Sequence, residues 1–277
     1  MRKNTIKHNK LITIVFVSVL IVIILTSFAH RLYSSYQARR WQENSTFIVF
    51  NGDNITIDVF DPHNEEIHTY VLPPDGYVEV PHGYGFYKLS DVKELSVVEG
   101  RGEELLSQAV SNTFGIPFDA TAGQMKEWDA FMVWYAKVFY ENKDETTNLS
   151  DAPIFTEEDR IDGQVIKKVD GNKVDKFFKQ ALWEKSIIDD NLVIGIFNAS
   201  EEPNIALTIA RKLEQIGAHI TEIDNSKESV SGCELRVKED KRNSYTVNRI
   251  ERLFNCPIAK TSPHPRFDIM LVTASTL

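Results

Sequence analysis

Nineteen consecutive residues from Leu11 to Ala29, LITIVFVSVLIVIILTSFA, carry no charge, and this run restricts the fold of the chain more than any other feature. As a helix it reaches about 28 Å, close to the hydrocarbon thickness of a bilayer. Its many β-branched residues would weaken a helix in water, but in lipid the backbone must satisfy its own hydrogen bonds, so helix is the available state. The polar members Thr13, Ser18, Thr26 and Ser27 can all return a hydrogen bond to a helix backbone. Arg2, Lys3, Lys7 and Lys10 precede the run, which places the N-terminus in the cytoplasm and everything after His30 outside. Ser27-Phe28-Ala29 also offers the small residues of a cleavable signal, yet the apolar stretch exceeds an ordinary signal core, so a retained single-pass anchor is expected. In residues 30–45, Tyr33, Tyr36 and Trp41 stand among three arginines, as in an interfacial collar or an ordinary linker.

Charge separates the chain into two regions. The net charge is -9, but residues 1–40 hold seven basic and no acidic residues, leaving 24 basic against 40 acidic groups in the remainder. A region at -16 lacks the basic face that phosphate contacts with nucleic acid require. Two cysteines, Cys233 and Cys256, permit one disulfide in an exported domain or two buried thiols, and neither has a His or Cys at zinc-ligand spacing. The seven histidines are scattered, and no P-loop or G-x-G-x-x-G is present.

Beyond the linker the patterning is mixed α/β (α+β). Residues 46–60 alternate around Asn51-Gly52-Asp53 as a hairpin, a strand follows at Glu66–Leu72, and Pro73-Pro74-Asp75-Gly76 turns into another extended piece at Tyr77–Val80. Helical spacing returns over residues 102–114 and 122–141; the second carries Met125, Trp128, Phe131, Met132, Trp134 and Tyr135, a wide apolar face expected in the core. Residues 142–172 lose periodicity and read as a long connector, followed by a helix at 173–185. From Leu192 the order is strand, helix, strand, strand, helix, strand and a closing strand, expected as a split-βαβ antiparallel sheet with two helices on one face.

Two stretches resemble the LytR/CpsA/Psr (LCP) family of bacterial cell-envelope proteins. Residues 192–277 are similar to the LytR C-terminal domain: IGIFNASEEPNIALTIARKLEQIGAHITEI places Phe197-Asn198, Ala206, Ala210, Leu213 and Gly217 in the family's register, and FDIMLVTAS resembles its terminal strand without the glycine. Residues 46–142 resemble a divergent catalytic LCP domain through Asp53, then LPPDGYVEVP at 72–81, then Lys88-Leu89-Ser90, then Phe114-Gly115-Ile116-Pro117-Phe118-Asp119. The implied organisation is a cytoplasmic tail at 1–10, a span at 11–29, a linker at 30–45, an LCP-like domain at 46–142, a connector at 143–190 and a LytR C-terminal-like domain at 191–277.

What the resemblance implies for activity is altered by the departures. Active members move a glycopolymer from a polyprenyl-pyrophosphate carrier to peptidoglycan, gripping pyrophosphate with arginines, whose planar fork suits phosphate. Here Pro74 stands where the first such Arg belongs, and Arg160 alone falls between residues 102 and 210. Asp53, Asp75 and Lys88 are retained and are the candidate catalytic residues, with Asp53 and Asp75 as candidate ligands for Mg²⁺ if the site is active. Each also has a simpler reading, the aspartates as turn residues and Lys88 as a surface charge. The expectation is therefore a membrane-anchored extracytoplasmic protein, non-catalytic, binding or scaffolding cell-wall polymer or envelope proteins beside the lipid bilayer; the alternative is an active transferase of the family type. Ten residues before the span are too few for a DNA-binding domain.

Overall fold

The computed structural model describes residues 3–42, 45–140, 142–159, 165–228 and 230–274. Arg2 and Arg160, named above, lie outside them. In chain order the elements are α1 (Lys3–Gln37), β1 (Phe47–Asn51), β2 (Thr56–Asp61), β3 (Glu66–Val71), β4 (Tyr77–Val80), β5 (Gly85–Lys88), α2 (Leu89–Val98), α3 (Glu104–Phe114), β6 (Ala120–Thr121), α4 (Glu127–Phe139), β7 (Asn142–Asn148), β8 (Phe155–Asp159), β9 (Val165–Val169), α5 (Gly171–Phe177), α6 (Lys185–Asp190), β10 (Val193–Asn198), α7 (Ile205–Gln215), β11 (His219–Asn225), β12 (Cys233–Val237), α8 (Tyr245–Phe254) and β13 (Ile269–Thr273).

Helix α1 contains the apolar run and continues past it to Gln37, so half of the expected linker is helical. An 18-residue window within Val15–Gln37 has a mean hydropathy of 2.2. From Val15 to Tyr33 its large apolar side chains are exposed, which water would penalise and lipid would not. Thr26 Oγ1 donates to the carbonyl of Val22 at 2.8 Å, satisfying the hydroxyl within the helix.

Among the described residues three sheets follow. The first has the order β6-β1-β2-β3-β7, the second β5-β4-β9-β8 and the third β11-β10-β13-β12. The β1–β2 hairpin turns because Asn51 Oδ1 accepts from the backbone N–H of Asp53 at 3.1 Å, a local bond that replaces the ladder at the tip. The expected connector at 142–172 instead supplies β7, β8 and β9. Their charged residues hid them: β7 and β8 are edge strands, where polar side chains are tolerated because one margin faces solvent. The expected helix at 173–185 is α5 alone, closing at Phe177, and the acidic segment after it forms α6.

The expected antiparallel C-terminal sheet is also corrected. Strand β10 pairs parallel to both β11 and β13, and only β12 runs antiparallel, so β10-α7-β11 joins neighbouring strands without an intervening one. The stretch at 256–259 contributes a single bridge, Leu235 to Ile258. Gly195 in β10 admits the Phe197 and Phe267 rings; a Cβ there would meet them at 2.9 and 3.0 Å. Cys233 and Cys256 form a disulfide that ties β12 to the end of α8.

One apolar core runs through both halves, from Ile48, Phe50 and Phe114 to Ile209, Leu213 and Leu271. A second cluster lies on the other face of the first sheet, where Trp41, Phe47, Phe60, Ile67, Ala136 and Tyr140 meet. That cluster uses only one side of α4. The expected core face holds for Met125 and Met132, which pack against this cluster, and is corrected for Phe131, Trp134 and Tyr135, which are 49%, 55% and 41% exposed, because Asp129, Met132, Val133 and Ala136 take the inward side.

Candidate functional site

The three sequence candidates gather around α2 without forming a closed set. Asp53 sits in the β1–β2 turn, 81% exposed at its side chain, and Lys93 of α2 reaches it at 2.8 Å. The Lys93 ammonium donates to the Asp53 carboxyl and holds it below the usual carboxylate range. Asp75 is exposed in the turn closed by Gly76 N–H donating to the Pro73 carbonyl at 3.1 Å. Lys88 ends β5 immediately before α2, its Nζ 6.0 Å from the Tyr77 ring centroid. The space beneath them is filled: Phe50, Leu72, Val78, Leu89, Leu105 and Phe114 are all at most 1% exposed. Among the described residues no group of three or more His, Cys, Asp or Glu side chains is arranged to hold a metal ion.

Charge concentrates elsewhere, in positions that sequence reasoning passed over. At the junction of the two halves Arg249 of α8, 2% exposed, lies between Asp119 and Glu184, 2% and 3% exposed. Its Nη2 is 2.8 Å from Glu184 Oε1 and donates to Asp119 Oδ2 at 3.1 Å, while Nη1 donates to Asp119 Oδ1. Asp119 also accepts from the Ile48 N–H at 2.8 Å, and Glu184 from the Tyr245 hydroxyl at 2.5 Å. Burial by itself would lower the Arg249 pKa, but the carboxylates of Asp119 and Glu184 outweigh it and keep the guanidinium charged. These contacts leave little room for another ligand, and the arrangement is a clamp. Asp119 stood at the end of the FGIPFD motif, and helical spacing put Arg249 beside the apolar positions Val247 and Ile250, so a trace of the clamp was visible in the sequence.

Beside the clamp a pocket of about 410 Å³ opens between α3, the segment 117–126 and helices α7 and α8. Arg40, Lys126 and Lys212 border it with Ser107, Gln108, Ser111, Thr121 and Gln124, and among the described residues no carboxylate belongs to its lining. Gln108 Oε1 and Thr121 Oγ1 are buried polar atoms without a hydrogen-bond partner among the described residues. Arg40 is held in place by its Nη1, which donates to the Asp119 carbonyl at 2.7 Å. Lys212 is 4% exposed, and burial, with Arg211 next to it, pushes its pKa down to about 8. Three cations and a set of hydroxyl and amide groups suit an anionic, oxygen-rich group. Helical spacing from Ile209 placed Lys212 on the inward side of α7, the one sequence signal that could have found it.

A wider groove of about 1020 Å³ runs between the β4–β5 hairpin, β9 and the start of α7. The Lys168 ammonium lies 3.7 Å above the Phe86 ring centroid at its rim. Arg211 braces its floor, donating to Asp175 at 2.7 Å and to the Asn112 carbonyl at 3.1 Å.

No family model matches the sequence, and no curated protein matches it. Among solved structures the chain is similar to B. subtilis TagT at 11% identity and TM-score 0.36, covering 52% of this chain and 96% of that one. It is also similar to the LytR-CPS2A-psr family protein YwtF (TagT) with bound octaprenyl pyrophosphate lipid, at 13% identity and TM-score 0.22 over 65% and 75% of the two chains. A third is the Lin1025 protein from Listeria innocua, at 11% identity and TM-score 0.20 over 76% and 98%.

Proposed function

We propose that the chain is a single-pass membrane protein with its N-terminus in the cytoplasm and an extracytoplasmic part that binds, without transferring, a phosphate-bearing envelope glycopolymer. The LCP-like part at 46–142 and the LytR C-terminal-like part at 191–277 act together as a scaffold in cell-wall assembly. The observation that carries this reading is a separation of charges. The cations that could hold phosphate, Arg40, Lys126 and Lys212, border the pocket beside the clamp, whereas the retained Asp53 and Asp75 stand in turns beside α2. A transferase of the family type needs both in one place, because metal and cations must stabilise the same departing pyrophosphate. Burial of Lys212 strengthens its attraction for an anion by lowering the local dielectric.

The test uses the full chain in lipid nanodiscs. Inorganic pyrophosphate and a purified phosphodiester-linked wall glycopolymer should bind in calorimetric titrations, and Lys126→Ala should weaken both. The double variant Asp53→Ala, Asp75→Ala should bind as the parent does. Transfer of glycan from a polyprenyl-pyrophosphate donor with Mg²⁺, lost in that double variant, would replace this reading with the active transferase.

A further inference from the structure

Helix α4 leaves an unusual surface on the molecule. Trp128, Phe131, Trp134, Phe139 and Tyr135 form a connected run of rings, with successive centroids 5.8, 5.8, 6.4 and 4.6 Å apart. Phe131, Trp134, Tyr135, Val138 and Phe139 are each between 41% and 55% exposed. Five large apolar side chains on one short helix are more than the scattered exposure of a soluble surface explains.

The position of this face says what covers it. Arg31 of α1 reaches Glu127 of α4 at 2.5 Å, and the Tyr36 ring meets Trp128 edge-on at 5.3 Å. Just beyond α1 the backbone N–H groups of Arg40 and Trp41 donate to the buried Asp129 carboxylate, at 2.9 and 3.0 Å. These contacts fasten the first turn of α4 to the outer end of α1. Arg31 lies about 3 Å and Tyr36 about 10 Å beyond the end of the apolar run along the helix axis, at and just outside the depth of lipid headgroups.

The other end of α4 stays at the same level. Tyr140, which closes the helix, is buried with Phe47, Phe60 and Ile67. Those residues open β1, close β2 and open β3, all at the sheet end where the chain arrives from α1. Helix α4 therefore crosses the strands near the membrane-proximal edge of the first sheet. The run of rings begins at Trp128, against Tyr36 of α1.

We propose that α4 lies in the outer headgroup region with Phe131, Trp134, Tyr135 and Phe139 inserted among the lipids, fixing the extracytoplasmic part flat against the bilayer. Trp and Tyr favour this zone because one end of each ring system is apolar and the other can bond to water or headgroups. The Arg31–Glu127 and Lys137–Asp58 pairs neutralise the charged groups nearest the rings, the second at 3.5 Å. The inference rests on α1 crossing a bilayer, and is independent of what the cationic pocket binds.

The test labels the full chain with 5-fluorotryptophan, leaving the sequence otherwise intact, and places it in phosphatidylcholine/phosphatidylglycerol nanodiscs. Trp134→Phe and Trp183→Phe assign two of the four ¹⁹F resonances. A nitroxide on the lipid chains should broaden the Trp134 signal severalfold and leave that of Trp183 unchanged, while an aqueous gadolinium chelate should do the reverse. A Trp134 signal relaxed by gadolinium and untouched by the lipid nitroxide would overturn the inference. So would a signal shielded from both reagents, which would mean that a second copy or another protein covers the face. Failure of the chain to remain in the disc would overturn the anchor and this inference together.

Discussion

Replacing Arg249 by Met should be the most damaging single change in the part that follows α1. The guanidinium is the cation between two carboxylates that are each at most 3% exposed, and it bonds both. Met fills similar volume but leaves Asp119 with the Ile48 N–H and Glu184 with the Tyr245 hydroxyl as their remaining strong partners. Breaking a buried pair in this way costs about 3–5 kcal/mol. At roughly 2–4 °C per kcal/mol for a part of this size, the melting midpoint should fall by about 6–20 °C, read by circular dichroism of the detergent-solubilised chain at pH 7. The sign of the pH dependence follows from the same burial. Burial already holds the Glu184 pKa above its unfolded value and Arg249 opposes that rise; without the cation the rise is unopposed, so the variant loses stability as pH climbs from the unfolded value through the folded one. The gap from the parent should therefore narrow when the pH is lowered towards 5. Neutralising all three groups as Asp119→Asn, Glu184→Gln and Arg249→Met should recover more than half of the loss, because no charge is then left buried alone. A single variant within about 1 kcal/mol of the parent at pH 7, or a gap unchanged at pH 5, would refute the assignment of a charged clamp.

Further outcomes follow from the same structure. Lys212 has a folded pKa of about 8, below its unfolded value of about 10.4, so the unfolded chain binds more protons between these limits and stability should rise with pH across them. Relative to Lys212→Met the gain should approach about 3 kcal/mol, measured as the difference between the two pH–stability curves. Replacing Cys233 and Cys256 together by Ser opens a loop with a sequence separation of 23 and should cost about 3 kcal/mol, with the reduced parent behaving like the variant in urea titrations. Gly195→Ala forces a methyl group against Phe197 and Phe267 and should destabilise by about 1–3 kcal/mol through overpacking, visible in the same titrations.

Local chemistry was legible where neighbours in sequence decide the outcome. The apolar run, the Asn51-Gly52-Asp53 turn, the helix ending at Gly115 and the strand-helix-strand opening of the C-terminal part were all readable, because capping, turns and periodicity act over a few residues. Gly115 adopts φ 64°, the left-handed conformation that ends α3. The segment 142–172 was not legible. Strands β7 and β8 are built mostly from Asn, Thr, Glu, Asp and Lys; β7 is a strand through pairing with β3, and β8 lies on β9, which pairs with β4, both partners far away in the chain. The aromatic stripe of α4 failed for a related reason: periodicity shows that a helix has an apolar side, and cannot say whether protein or lipid covers it.

By itself the sequence determined that the chain carries an uncharged run which, as a helix of about 28 Å, is long and apolar enough to cross a bilayer. It also determined a mixed α/β pattern after that run, a net charge of -16 beyond residue 40 and the shortage of arginine around the family-like motif. Only the tertiary structure decided which charges meet. Asp119, Glu184 and Arg249 are separated by up to 130 residues in the chain and share one buried volume, while Asp53 is paired with Lys93 at the surface. Burial and partner are properties of position in space. They turn one carboxylate into a clamp and another into a turn residue, and no spacing rule distinguishes the two.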